Sequence, residues 1–208
     1  MDQEGRKNFS QHFDVSRETM DRLDNFVALV EKWNPKINLI SKKSVDDIWG
    51  RHVLDSAQVL EFGNKSGKWV DIGSGGGFPG IVAAILACDV SPELKFVLVE
   101  SDQRKAAFLR AAARTADISL EIIAQRVENI PSLEAQTLSA RALAPLDKLL
   151  EFANLHLAPN GVALFPKGAS YRSEVEDARK RWNFELEDIS SKTDSDAMIL
   201  RVGAITNV

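Results

Sequence analysis

One stretch constrains the fold of this chain more than any other: Val70-Asp-Ile-Gly73-Ser-Gly75-Gly-Gly77-Phe-Pro-Gly80. A β-branched run, Trp69-Val-Asp-Ile72, leads into it, and the apolar run Ile81-Val-Ala-Ala-Ile-Leu-Ala-Cys88 leaves it with helical character. Glycine permits positive φ and lets backbone approach a ligand to contact distance, while the first turn of the following helix offers unpaired amide donors. A strand, a glycine loop and a helix in that order form the opening unit of a parallel sheet that binds a nucleotide-like ligand at its carboxyl edge.

The rest of the chain repeats that texture. Short strand-like runs at Phe96–Val99, Ser119–Ile123, Thr137–Ala140, Gly161–Phe165, Phe184–Ile189 and Ala197–Val202 alternate with helical patterns, among them Leu146–His156 and Arg172–Trp182. Alternation of this kind predicts an α/β fold with a mostly parallel central sheet and helices on both faces. The first sixty residues differ. Met1–Asp14 is polar and reads as a loose arm. Ser16 is placed to cap a helix carrying Met20, Leu23, Val27 and Val30, which ends near Trp33 because Asn34-Pro35 breaks it. A second helix begins at Ser44, with Asp47 completing a capping box; it buries Trp49, Val53, Ala57 and Leu60 and carries Arg51, His52 and Asp55 on the opposite side. The expected division is a helical cap over residues 1–66 and one compact domain over 67–208.

Several function classes are set aside by composition. The single cysteine, Cys88, excludes an intramolecular disulfide and a cysteine metal cage, and its apolar neighbours predict a core position. His12, His52 and His156 lie far apart and lack metal-ligand spacing, so no metal is expected. No apolar stretch is long enough to span a bilayer and the first thirty residues lack a leader pattern, which predicts a soluble cytoplasmic protein. The formal net charge of -4 argues against indiscriminate nucleic-acid binding. The segment Lys32–Lys43 nevertheless holds four lysines and no acid, so a local basic patch is open alongside a merely solvated helix end.

Gly75-x-Gly77-x-x-Gly80 also matches the dinucleotide fingerprint. Asp71, two residues before the first glycine, counts against a pyrophosphate, which a fixed carboxylate repels. S-adenosylmethionine carries an ammonium and a sulfonium and no phosphate, so an acid near the loop suits it better. Glu100, at the end of the next strand, is placed to accept both hydroxyls of a ribose, a device that serves either cofactor. An NAD-dependent oxidoreductase is further disfavoured because Tyr171, the only tyrosine, belongs to no Tyr-x-x-x-Lys pair.

Seven segments in order then resemble one known family. They are Trp33-Asn-Pro-Lys-Ile-Asn-Leu-Ile-Ser41, Arg51-His-Val-Leu-Asp-Ser56, Val70–Ile81, Glu100-Ser-Asp-x-Arg-Lys105, Gln125-Arg-Val-Glu128, Ser139-Ala-Arg-Ala142 and Pro166-Lys-Gly168. Together they resemble the bacterial small-subunit rRNA guanine-N7 methyltransferases, the glucose-inhibited division protein B family, over about Asn25 to Val202. The resemblance implies a Rossmann-like class I S-adenosylmethionine-dependent methyltransferase fold with an N-terminal helical cap. It implies methyl transfer from S-adenosylmethionine to guanine N7 in 16S rRNA, free or within the small ribosomal subunit, with no membrane or protein partner. Carried onto this chain, it assigns Gly73, Phe78, Val127, Glu128 and Arg141 to the donor site beside Glu100. Lys36, Lys42, Lys43, Arg51, His52 and Lys167 are candidates for RNA contacts. Guanine N7 presents a lone pair with no proton to remove, so no general base is required and no catalytic residue is assigned. An Asn/Asp-Pro-Pro-Tyr/Phe motif, common where an exocyclic amine is the acceptor, is replaced here by Ser139-Ala-Arg-Ala142. A same-fold enzyme acting on another RNA position or a small molecule, and a non-catalytic RNA-binding assembly factor, are the alternatives.

Overall fold

The computed structural model describes residues 2–208. A single seven-stranded sheet has the order β3-β2-β1-β4-β5-β7-β6. Its strands are β1 (Gly67–Ile72), β2 (Leu94–Val99), β3 (Leu120–Ile123), β4 (Ala135–Ser139), β5 (Leu157–Lys167), β6 (Trp182–Ser190) and β7 (Met198–Asn207). β1 to β5 pair in parallel, and β7 enters antiparallel between β5 and β6. Chain order reverses between β1 and β4, and such a reversal opens a crevice at the carboxyl ends of the strands.

Alternation along β1 sends its side chains to two cores. Val70 and Ile72 face a cluster with α6 (Leu146–His156) and Phe165, Leu200 and Val202. Trp69 faces the other cluster, shared by α4 (Gly80–Val90), α5 (Gln103–Thr115) and the amino-terminal helices. α4 is buried from Gly80 to Ala87, being covered by the sheet on one side and α2 (Arg17–Ile37) on the other; that explains why it is apolar all round. On α2, Leu23, Phe26, Val27 and Val30 make the buried stripe, and the Ser16 hydroxyl accepts from the Thr19 amide as its cap.

The amino-terminal region departs from expectation in three places. Residues assigned to a loose arm form α1 (Gln3–His12), capped by Asp2 and held by fully buried Phe9 against Trp49 and by an ion pair of Arg6 with Asp24. α2 runs through Pro35 to Ile37 and ends at Asn38, which is left-handed with φ 52°. Pro35 removes one hydrogen bond and crowds the carbonyl four residues back, and the helix ends within a turn of it, where the Asn34 Oδ1 accepts from the Leu39 and Ile40 amides to gather the emerging chain. The next helical segment starts later than Ser44: a π-helical turn over Trp49–Leu54 passes into α3 (Asp55–Ala57) and a 3-10 turn, Gln58–Phe62. Ser44 lies in a separate 3-10 turn, Lys42–Ser44, with its hydroxyl bonded to the Ser41 carbonyl. Trp49, Val53, Ala57 and Leu60 are buried as their spacing requires. Cys88 is exposed, not packed in the core, in the last turn of α4, where it lines a surface hollow with Glu18 and Arg22. α7 (Tyr171–Ala178) stops short of Trp182, which opens β6.

Candidate active site

Two hollows lie at the carboxyl edge of the sheet. The smaller, about 180 Å³, is bounded by Gly73 after β1, Val99 on β2, Val127 and Glu128 after β3, and Phe152 of α6. The larger, about 620 Å³, is bounded by Arg51 and Asp55 of the cap, Lys167 at the end of β5, and the turn at Ser191–Asp194. Arg141 and Ala142 line the larger hollow and Leu143 and Ala144 the smaller, so one short segment leaving β4 partitions them. Ala142 has φ 52°, a left-handed conformation, where the segment turns.

The glycine loop keeps most of its amides to itself. Gly73 and Ser74 donate to the Val99 carbonyl, at 2.8 and 3.1 Å, and Gly77 donates to the Ser74 carbonyl at 2.7 Å. Gly75 donates to Glu100 Oε2 at 2.8 Å, and Glu100 Oε1 accepts from the Asp102 amide at 2.7 Å. A pyrophosphate loop presents free amides to its ligand; here a carboxylate takes up the Gly75 amide. Gly73 has φ 65°, and a Cβ there would come 2.5 Å from Leu143 Cδ1, so glycine is needed for both conformation and closeness.

Asp71 lies beneath the loop rather than in either hollow. It is fully buried, and Oδ1 accepts from the Ser139 hydroxyl at 2.7 Å, which in turn accepts from Trp69 Nε1 at 2.9 Å. Oδ2 has no hydrogen-bond partner and faces the first turn of α4, where a Cβ on Gly80 would come 2.7 Å from it. Burial raises the Asp71 carboxyl to about 6, opposed by the bond from Ser139 and by the positive end of α4.

Arg141 joins the cap to the sheet. Its Nη1 donates to the Arg51 carbonyl and to Asp55 Oδ2, both at 3.1 Å, and Nη2 donates to His52 Nδ1 at 2.7 Å. An arginine can only donate, so His52 accepts at Nδ1 and donates from Nε2 to the Ser44 hydroxyl at 2.8 Å. Burial first, then Arg141 and Arg51, lowers the His52 pKa to about 3, leaving a neutral ring. Burial also disfavours the Arg141 charge, offset chiefly by Asp55. The Asp55 Oδ1 accepts from Gln58 Nε2 and the Thr193 hydroxyl, tying the cap to the turn between β6 and β7.

The other residues singled out from sequence are distributed around this centre. Phe78, next to a cis Phe78–Pro79 peptide, is turned to the cap, with its ring 5.2 Å from Phe26 and 5.0 Å from His52 and the Arg141 guanidinium 5.3 Å away. Glu100 is buried under its two amides, Val127 is buried in the wall of the small hollow, and Glu128 is exposed at its rim. Lys36, Lys42, Lys43 and Arg51 are exposed on the cap, whereas His52 points inward. The Lys167 ammonium is turned to the Ala144 carbonyl at 3.0 Å and Glu174 Oε2 at 2.7 Å. Sequence reasoning did not single out Leu143, Glu174 or the role of His156. Only Leu143 had a signal, as an apolar side chain directly after a polar turn at a strand's carboxyl end. Among the described residues no group of histidine, cysteine or carboxylate side chains is arranged to hold a metal.

Residues 19–198 match a family model described as GidB, rRNA small subunit methyltransferase G. The chain belongs to the GidB family. It is 53% identical over 205 residues to a ribosomal RNA small subunit methyltransferase G of Ruegeria sp. (strain TM1040), covering 99% of each chain. It is 55% identical over 196 residues to a protein of the same name from Cereibacter sphaeroides (strain ATCC 17029 / ATH 2.4.9), covering 94% of this chain and 95% of that one. Among solved structures, a putative class I S-adenosylmethionine-dependent methyltransferase from Listeria monocytogenes superposes with TM-score 0.62 at 13% identity, covering 96% of this chain and 78% of that one. M. jannaschii TYW2 in complex with AdoMet superposes with TM-score 0.57 at 13% identity, covering 84% and 80%. At such identities the GidB chain shares with these structures the fold alone, the class I methyltransferase sheet, to which this chain adds its helical cap.

Proposed function

We propose that this GidB protein transfers a methyl group from S-adenosylmethionine to N7 of a guanine in 16S rRNA, in the cytoplasm. The observation that carries the reading is the pair of hollows separated only by Arg141–Ala144, one bordered by the glycine loop and the other by the cap. The residues of the smaller hollow fit the donor. Val127 and Phe152 offer apolar walls to an adenine, and Glu100, between Val99 and Ser101 of the lining, keeps on each oxygen, though bonded to one amide, a lone pair for a ribose hydroxyl. Inward-directed loop amides and nearby acid suit a cationic ligand and repel a pyrophosphate. The donor supplies an electrophilic methyl group.

The larger hollow suits an extruded base. Its volume lies in the range of small-molecule sites, and a base must leave its stack, or lie in an open loop, to reach a buried reagent. Exposed Arg51, Lys36, Lys42 and Lys43 on the cap would meet phosphates, positioning the RNA without reading its sequence. Guanine N7 has its lone pair in the ring plane, so the protein's work is alignment, with Arg141 held rigidly by His52 and Asp55 at the boundary between the hollows.

The deciding experiment supplies labelled S-adenosylmethionine to unmodified small subunits and to their naked rRNA, then identifies the modified nucleoside by mass spectrometry. The expected product is N7-methylguanosine at one site. Another modified nucleoside would overturn the assignment of the acceptor, and donor binding without transfer to either substrate would point to a non-catalytic assembly role.

A further inference from the structure

Lys167 stands at the floor of the larger hollow, where a lysine invites assignment to an RNA phosphate. Its side chain is only 11% exposed, and its ammonium already has two partners within the protein. One is the carbonyl of Ala144, the last residue of the partition. The other is Glu174 Oε2 on α7, and that same oxygen accepts the Leu146 amide at 2.9 Å, in the first turn of α6. Three elements therefore converge on one carboxylate and one ammonium: the end of β5, the start of α7, and the junction where the partition enters α6. The Ser170 hydroxyl also donates to Glu174, at Oε1, fixing the carboxylate from the α7 side.

We propose that Lys167 and Glu174 form a strap that positions the Arg141–Ala144 partition, and that Lys167 is a positioning residue for methyl transfer and not a ligand for RNA. Leu143, which closes against Gly73, and Arg141, which meets the cap, lie within three residues of the strapped carbonyl, so the strap sets the spacing between the two hollows. Alignment of a bound base with a bound methyl group is steeply sensitive to such spacing: a displacement of ~1 Å lowers a rate by about 10²-fold. An ammonium neutralised by a half-buried carboxylate contributes little to counterion release, because the charge presented to the RNA is the sum of the pair. The inference rests on the proposed roles of the two hollows.

Lys167→Met, Glu174→Gln and the double variant test it, with single-turnover methylation of unmodified small subunits at saturating donor and RNA affinity measured across a salt series. The strap requires both single variants to slow transfer by about 10-fold to 100-fold. It also requires the double variant to be no slower than the worse single, because the residues act as one unit. RNA affinity and its salt slope stay at wild-type values in the double variant, which leaves the summed charge of the pair at zero, and thermal midpoints separate loss of alignment from loss of folding. A phosphate-binding Lys167 gives the opposite pattern: the double variant, having lost the ammonium, weakens RNA and flattens the salt slope by about 0.7–0.9, while transfer at saturating RNA keeps its wild-type rate. That pattern, additive effects, or full activity in either single variant overturns the strap while leaving the methyltransferase reading intact. A wild-type protein inactive on every rRNA substrate overturns both.

Discussion

Asp71 is a buried carboxylate whose charge has been placed under the ligand loop. Its position beside the loop is plain from Val70-Asp-Ile-Gly73, but the sequence suggested an acid presented to the ligand. Side-chain alternation decides otherwise: Val70 and Ile72 face the α6 side, so Asp71 shares the face of Trp69 and is covered by α4. The consequence is measurable as pH-dependent stability. Burial raises the folded carboxyl to about 6 from 3.8, so only well below pH 3.8 is it protonated in both states and free of penalty, while above pH 6 folding must bury an anion. Wild-type stability should therefore fall relative to Asp71→Asn as pH rises from 4 to 7, by about 2 kcal/mol, because each tenfold change in proton affinity is worth about 1.4 kcal/mol and the unfolded carboxyl is already partly ionised at pH 4. Paired denaturant titrations at those two pH values give the difference directly. An unchanged difference would mean that Ser139 and the α4 terminus compensate the charge completely.

At the scale of elements, α6 is the wall on which the donor hollow depends. Its amino end is bound through Leu146 to Glu174, its middle contributes Lys148 and Phe152 to the hollow, and its carboxyl end carries His156. His156 is fully buried; Nε2 donates to the Val127 carbonyl at 3.0 Å while Nδ1 lacks a partner, and burial lowers its pKa so that the ring stays neutral. Replacing it with leucine leaves that carbonyl unpaired, at about 1–3 kcal/mol, and loosens the segment that would meet the adenine. His156→Leu should weaken donor binding in calorimetric titration by roughly tenfold for 1.4 kcal/mol lost, with affinity for RNA unchanged. Equal donor affinity would show that Val127 is held without the histidine. The helix itself was legible: Leu146–His156 matches its predicted bounds, as do the cores of all seven strands, because apolar period and β-branching act locally. What escaped was decided by partners distant in sequence. α1 forms because Phe9 finds Trp49, α2 passes Pro35 because Asn34 collects the chain beyond it, and His52 turns inward because Arg141 offers it a donor.

Over the whole molecule, cap and sheet share one core. Phe26 of α2 is fully buried, with its ring 5.2 Å from Phe78 in the glycine loop and 6.5 Å from Phe108 of α5. The cluster it belongs to includes Phe9 and Trp49 at one extreme and Phe96 and Leu98 of the sheet at the other. The polar link runs the same way, from Ser44 through His52 to Arg141 and from Asp55 to Thr193. With no separate core for the amino-terminal helices to retain, we propose that residues 1–66 and 67–208 unfold as one cooperative unit. Phe26→Ala should destabilise that unit by about 3–5 kcal/mol, the range for a large aromatic removed from a packed core. In a Trp69→Phe, Trp182→Phe background the remaining Trp33 and Trp49 report on the cap, and far-ultraviolet circular dichroism reports on the whole chain. With Phe26→Ala in that background, as without it, fluorescence and dichroism should give one midpoint. An earlier fluorescence transition would mean that the cap detaches first. Arg141 would then lose His52 and Asp55 while the sheet stayed folded, and methyl transfer would fail at a temperature where the sheet was still intact.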